Sequence, residues 1–379
     1  MSDAIFRSHA SQALVASLLI GLITGMLGAA QEVHGQSEGP SLRSTERPIR
    51  VALDPTYQYV ETENGRVLNE LSSRLTAFVP IADRFGVRAG IGYAQMGQNT
   101  NLSQVTGLTD ARGAITYAQP AGEGSVVMTL EVNAPTGKTP LAQNELDVVR
   151  RISQNFYDFR VTSFSRGFSV APRVTWALPL TDRLAVGIGA GYKHQRGFQP
   201  RAGLQQDYVP GDGVTVNAGF DYQVAQASAV GLDVSFRRYA SDELGGARQF
   251  TPGNQYAGTA RYLLRSGFTT VRAVVRYASW EQSEFGYAVG SPQRGQVLPP
   301  HGMALGAYET RLAEGIRLVT RASGHWYGET VQSGQKMFGR VTIAPSFAVG
   351  EYVRLVPHGS ASYGSYLGVG GGLRIEGEF

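Results

Sequence analysis

The chain reads as an all-β protein: a transmembrane antiparallel up-and-down β-barrel of sixteen strands, with fourteen as the alternative count. Three observations lead there. The chain ends on a period-2 strand closed by an aromatic, Phe379. Polar–apolar alternation recurs in segments of about ten residues from Ile49 onward, the pattern of strands wet on one face and greasy on the other. The composition is rich in Gly (48), Tyr (18) and Phe (16) but only 17% charged, below the roughly 25% of soluble domains.

The N-terminus comes first in chain order. Arg7 and His9 precede an apolar run from Ala13 to Leu27, and Gly28-Ala29-Ala30 offers small residues for cleavage. Residues 1–30 are therefore expected to be a signal peptide, with a retained anchor as the alternative. Residues 31–48, rich in Ser, Glu, Gly and Pro, read as a flexible periplasmic leader. Residues 49–379 form the expected outer-membrane barrel.

Strand starts are expected near 49, 67, 85, 108, 124, 163, 184, 208, 228, 254, 268, 301, 315, 336, 352 and 367. In Phe85–Tyr93 the odd positions Phe85, Val87, Ala89, Ile91 and Tyr93 face lipid; Gly86, Arg88, Gly90 and Gly92 face the lumen. Val126–Ala134 sets Val126, Met128, Leu130 and Val132 against Thr129, Glu131 and Asn133. Val214–Tyr222 and Val230–Phe236 repeat the scheme. In the final strand Leu367, Val369, Leu373, Ile375 and Phe379 share one parity. Connections alternate short and long, which places both termini on the periplasmic side and the long loops outside. Phe379 is the expected assembly signal, read by the barrel-assembly machinery. Trp176, Trp280 and Trp326 are expected at the lipid interface.

One hairpin occurs twice. Phe78–Tyr93 and Ala177–Tyr192 align without a gap through Pro80/Pro179, Asp83/Asp182, Arg84/Arg183, Gly90/Gly189, Gly92/Gly191 and Tyr93/Tyr192. Asp-Arg makes a tight polar turn, and Pro sits where a lost N–H is tolerated.

The charges are unusual. Lys occurs only at Lys138, Lys193 and Lys336, so Arg supplies nearly all of the 34 basic residues. These arginines are scattered singly through strands, so no nucleic-acid partner is expected. By parity Arg74, Arg88, Arg112, Arg173, Arg237, Arg261, Arg272, Arg276 and Arg340 face the lumen and are the selectivity candidates. Arg317, Arg321, Arg354 and Arg374 share their side, opposed by Glu70, Asp110, Glu131, Asp221, Asp233, Glu376 and Glu378. Two readings stay open: an Arg–carboxylate ladder stiffening the wall, or an anion-favouring path.

The longest loop, 136–162, contains Asn144–Ser153, where Leu146, Val149 and Ile152 recur at helical spacing. Glu145 and Asp147 near its start and Arg150 and Arg151 near its end suit the helix dipole. These four are the constriction-loop candidates. The loop is either a surface excursion or an infolded segment that narrows the lumen.

With no Cys, disulfides, thiolate metal sites and a Cys nucleophile are excluded. No phosphate-binding loop occurs. His301, His325 and His358 are expected at strand ends as interfacial residues, and Ser323 with His325 lacks a visible third member for a rim hydrolase. No enzyme, catalytic residue, cofactor or metal is expected.

The segments Gly107-Leu-Thr-Asp-Ala-Arg-Gly-Ala-Ile-Thr-Tyr117 and Val126–Lys138, ending Ala134-Pro-Thr-Gly-Lys138, resemble the outer-membrane transporters associated with the phenol meta-degradation pathway, distant kin of fatty-acid-transporter-type channels. Thr109 and Ala134 depart from that family's Gly and Leu. The resemblance implies passive uptake of small molecules, aromatic or hydrophobic compounds among them. A general diffusion porin with weak anion preference is the alternative, and a structural or adhesive barrel with a blocked lumen the next. The expected partners are outer-membrane lipid, the assembly machinery and a small-molecule solute.

Overall fold

In the computed structural model, which describes residues 48–98, 104–152, 155–287, 291–331 and 333–379, sixteen antiparallel strands close into a barrel. The wall runs β1 (Arg50–Thr62), β2 (Val67–Ala82), β3 (Phe85–Gln98), a fourth strand broken into β4 (Gln104–Leu108) and β5 (Ala111–Ala121), β6 (Gly124–Ala134), β7 (Ser169–Pro179) and β8 (Leu184–Gln195). It continues through β10 (Gly213–Ala225), β11 (Ser228–Tyr239), β14 (Gln255–Ser266), β15 (Thr269–Trp280), β18 (His301–Ala313), β19 (Ile316–Tyr327), β20 (Lys336–Val349), β21 (Val353–Gly364) and β22 (Tyr366–Glu378). The seam joins β22 to β1, with Arg50 opposite Glu378 and Thr62 opposite Tyr366. The expected signal peptide and leader lie outside the described residues, apart from Pro48 at the leader's end.

Strand existence and order follow the alternation. Two starts differ by five or six residues: β7 begins at Ser169 rather than near 163, and β10 at Gly213 rather than near 208. Both differences arise because the preceding loops keep strand-like composition while bonding elsewhere. The fourth strand is broken where Thr109 and Asp110 leave the ladder to bond Gly92 and the long loop.

The outer surface is the greasy one. Tyr57, Leu71, Leu75, Ile115, Met128, Ile188, Val216, Val234, Val275, Val341 and Val369 are all at least 40% exposed on it. An uninterrupted apolar belt of this kind needs hydrocarbon, not water, as its solvent. Inward positions carry Arg, Asp, Glu, Thr, Ser and Gly. Seven short turns and both ends of the barrel share one rim, while the other rim carries the long loops and two further short turns, β1–β2 and β21–β22.

The long loops of the other rim build two features. The described residues of 135–168 contain helix α1 (Gln143–Ile152) and a 3-10 turn at Asn155–Tyr157, and they fold into the barrel. Segments from three other loops form a five-stranded cap: β9 (Tyr208–Val209), β12 (Asp242–Leu244), β13 (Ala247–Thr251), β16 (Ser283–Phe285) and β17 (Gln293–Gly295). The cap packs Tyr208, Phe250 and Leu298 onto Ala278 and Trp280. Trp280 is thus 7% exposed and turned inward beneath the cap, not at the lipid interface as expected. Its parity is that of Arg276, so the strand's own alternation carries it inside. Trp176 is outward at 41% exposure, and Trp326 stacks on outward Tyr277.

Candidate functional site

Asp110 anchors the infolded loop at both ends. Its carboxylate accepts the Gly137 N–H at 3.0 Å on one oxygen, and the Arg166 N–H and Asn133 amide, each at 2.7 Å, on the other. The Asp110 N–H donates to the Phe164 carbonyl at 2.9 Å. Gly137 must be Gly: a Cβ there would lie 1.9 Å from the Phe164 carbonyl oxygen. The Asp of Gly-Leu-Thr-Asp and the Gly of Pro-Thr-Gly therefore meet in one knot that ties the loop's exit to its return.

Between those ends the loop buries its own apolar residues against inward-facing ones. Val148, Ile152, Phe159 and Phe164 are no more than 2% exposed, and they cluster with Val60, Leu68, Ala94, Met96, Val105, Tyr327, Phe338 and Tyr366 of the wall. Transfer of these side chains from water is worth roughly 1.5–3 kcal/mol each, which seats the segment inside the barrel. Of the two readings of this loop, the infolded one holds.

Polar contacts fix how deep it goes. The Gln58 amide donates to the Asp158 carbonyl at 3.2 Å, and its oxygen accepts the Arg160 N–H at 3.1 Å. The fully buried Glu70 carboxylate accepts the Val161 N–H at 3.1 and 3.3 Å. The Arg160 guanidinium pairs with Asp54 at 2.7 Å and lies 3.4 Å from His358 Nε2. Arg340 pairs with Asp158 and donates to Ser362 at 2.7 Å. Asp158 sits at φ 56°, a conformation Asp tolerates better than most residues. His358 is mid-strand in β21, not at a strand end as expected.

The loop covers the inner faces of β1–β4 and of β19, β20 and β22. The remaining wall carries Arg173, Lys193, Arg237, Arg261, Arg272 and Arg276. Some of these are neutralised: Arg173 by Glu131 at 3.4 Å, and Arg261 by Asp221 and Asp233, both at 3.1 Å. Arg237 donates instead to Thr215 at 2.9 Å and to Tyr239. Arg272 and Arg321 face each other across Ala307, and neither has an ion pair among the described residues. Arg374, itself paired with Glu376 at 2.8 Å, and Glu309 are also close enough to act on Arg321. Arg74 lies beside Asp54 and Glu70; Arg112 is opposite Asn133; Arg88 is near the short-turn rim.

Glu145, Asp147, Arg150 and Arg151 sit on α1 at the long-loop mouth. Glu145 pairs with Lys138 at 2.5 Å and caps the helix through the Ala142 N–H at 3.0 Å. Partial burial opposes these contacts, but together they hold its carboxyl below the ordinary value. The charged loop residues that pair with the wall are Asp158, with Arg340, and Arg160, with Asp54. Sequence reading missed both because they lie beyond the helical periodicity. The signal was there in Asp54, Thr56 and Gln58, three polar inward positions in succession on one strand.

His301, Tyr327, His325 and Phe338 stack side by side across the inner wall with near-parallel rings, and Tyr366 packs on Phe338 at a tilt of 47°. His325 Nε2 lies 3.1 Å from Ser323 Oγ, but the ring is sandwiched between His301 and Phe338 and only 6% exposed. No group of three or more His, Asp or Glu suited to a metal occurs among the described residues.

No family model and no curated protein matches the chain. It is similar in structure to an outer-membrane channel from Pseudomonas putida F1 (9% identity, 91% of this chain, 100% of that one, TM-score 0.42). It is also similar to OpdO of Pseudomonas aeruginosa (11%, 88% and 96%, 0.47) and to an anion-selective porin from Comamonas acidovorans (8%, 89% and 100%, 0.41).

Proposed function

We propose that the chain is a bacterial outer-membrane channel for passive movement of small molecules, constricted by its infolded loop and favouring small anions. The observation that carries this reading is the packing of the loop segment 156–164 against part of the inner wall, together with Arg272 on β15 and Arg321 on β19, which have no ion pair among the described residues. An anion threading the gap meets guanidinium groups that no ion pair holds among the described residues. The apolar belt supplies the membrane setting, and the crowded rim of short turns marks the periplasmic side.

A channel for neutral aromatic compounds is the second reading. The phenol-pathway resemblance and the stacked rings of the inner wall favour it. Those rings are covered by the loop, so the anionic reading ranks first.

The test is planar-bilayer recording of the purified protein across a salt gradient, with liposome swelling on solutes of graded size and charge. A reversal potential on the anion side is expected. Cation preference would sink the anionic reading, and absence of any conductance would leave a structural barrel.

A further inference from the structure

At the long-loop mouth a cleft of about 330 Å³ opens between α1, the β1–β2 turn and the β21–β22 turn. That size falls within the roughly 300–1,000 Å³ of small-molecule pockets. Its floor is aromatic. Phe156 and Tyr157 lie with centroids 4.4 Å apart and rest edge-on against Tyr327 and Tyr366. Its rim is cationic, with Arg66 and Lys336 on the strand side and Arg150 and Arg151 on the helix.

The acids there do not balance that charge. Glu63 is engaged by Lys336 at 3.2 Å. Asp147 lies 3.4 Å from the Gln143 amide. Arg66 and Arg151 line the cleft together with Tyr157, and neither has an ion pair among the described residues. Two guanidinium groups lining a cleft whose floor is aromatic suit a ligand that is itself flat and carries a carboxylate. Its ring can stack on the floor while the forked donors take the charge.

We infer that this cleft is a binding site for a small aromatic carboxylate, which it captures at the mouth before the constriction. The assignment of an entry role rests on the proposed channel function and on the long-loop rim being external; the binding site itself does not. Affinity depends on ring and charge together. The ring alone gains only stacking, and the charge alone meets cations already hydrated.

The experiment is calorimetric titration of the purified full-length protein in detergent with benzoate, acetate, benzyl alcohol and inorganic phosphate. Saturable benzoate binding is expected, with acetate, benzyl alcohol and phosphate at least tenfold weaker. Arg66→Gln and Arg151→Gln, each checked for heat-modifiable folding, should each weaken benzoate about tenfold. Arg311→Gln, at the opposite rim, should leave it unchanged. Absent benzoate binding, or benzoate binding untouched by both rim variants, overturns the proposal. Phosphate binding as well as benzoate would also overturn it and make the cleft a phosphate site. Conductance measured on the same preparation separates the two readings. Current without benzoate binding removes the site and keeps the channel. Benzoate binding without current does the reverse.

Discussion

Arg160, at the innermost reach of the long loop, places its guanidinium 2.7 Å from the Asp54 carboxylate on β1. This ion pair spans from a segment with no strand partners to a wall held by ladders on both sides. The loop can therefore be loosened without opening the barrel. Arg160→Gln removes the charge from Asp54 and from its contact with His358. A charged hydrogen bond lost in a part-buried setting is worth about 1–3 kcal/mol, taken from loop docking. Single-channel conductance should rise or acquire an added larger state, while heat-modifiable mobility stays as in the parent. Unchanged conductance would mean that the apolar cluster alone holds the loop.

Arg272 and Arg321 are the charges that selectivity should follow. Arg173 and Arg340 already face Glu131 and Asp158, so removing them exposes an acid as well as deleting a base. The double change Arg272→Gln, Arg321→Gln deletes charge that no ion pair holds among the described residues. The reversal potential should move toward cations, and the remaining anion preference should fade at 1 M salt, where the Debye length is about 3 Å. A potential unmoved by the double change would make these arginines wall struts.

The barrel was legible because alternation survives in almost every strand and one face of it is uniformly apolar. The two features that shape the mouth were not. The cap strands β9, β12, β16 and β17 are two or three residues long, too short for a period-2 signal. The infolding of 135–168 depends on wall residues such as Glu70 and Val60, whose partners lie about a hundred positions away. Helix α1 itself could be read, since Leu146, Val149 and Ile152 mark its apolar side. What that side packs against could not. Trp280 differs: its ring type suggested the interface, but its shared parity with Arg276 places it inward, and the cap supplies what it packs against.

The cap carries its own pH response. Asp242 is 2% exposed; it accepts the Tyr208 hydroxyl at 2.5 Å and the Gly211 N–H at 2.7 Å. Burial raises its pKa from 3.8 to about 6, against the opposing effect of those two donors. The native cap then binds a proton that the opened cap releases between those values. Its stability is full below pH 3.8, falls as pH rises toward 6, and is lowest above it, by up to about 3 kcal/mol. Limited proteolysis within 240–254 should be slower at pH 5 than at pH 7.5. Asp242→Asn should abolish the difference. Faster cleavage at pH 5 would contradict the sign.

Phe379 closes the seam at the short-turn rim. Its N–H donates to the Ile49 carbonyl at 2.9 Å, its carbonyl accepts the Ile49 N–H at 2.8 Å, and its ring stacks on Tyr352 with centroids 6.1 Å apart. The ring is 63% exposed on the membrane side, where an aromatic prefers the lipid–water boundary. Deleting Phe379 removes both bonds and leaves Ile49 unpaired at the last rung between β1 and β22. The remaining rungs of that pairing, from Arg50–Glu378 to Thr62–Tyr366, stay available. The finished barrel should therefore persist once formed, while its closure and insertion slow. In cells the deletion should cut the heat-modifiable fraction recovered from outer membranes several-fold. Phe379→Tyr, which keeps the ring and both backbone bonds, should restore it. Phe379→Ala, which keeps the bonds alone, separates the two contributions. Recovery with Ala equal to the parent would assign the effect to the backbone rung rather than to the aromatic.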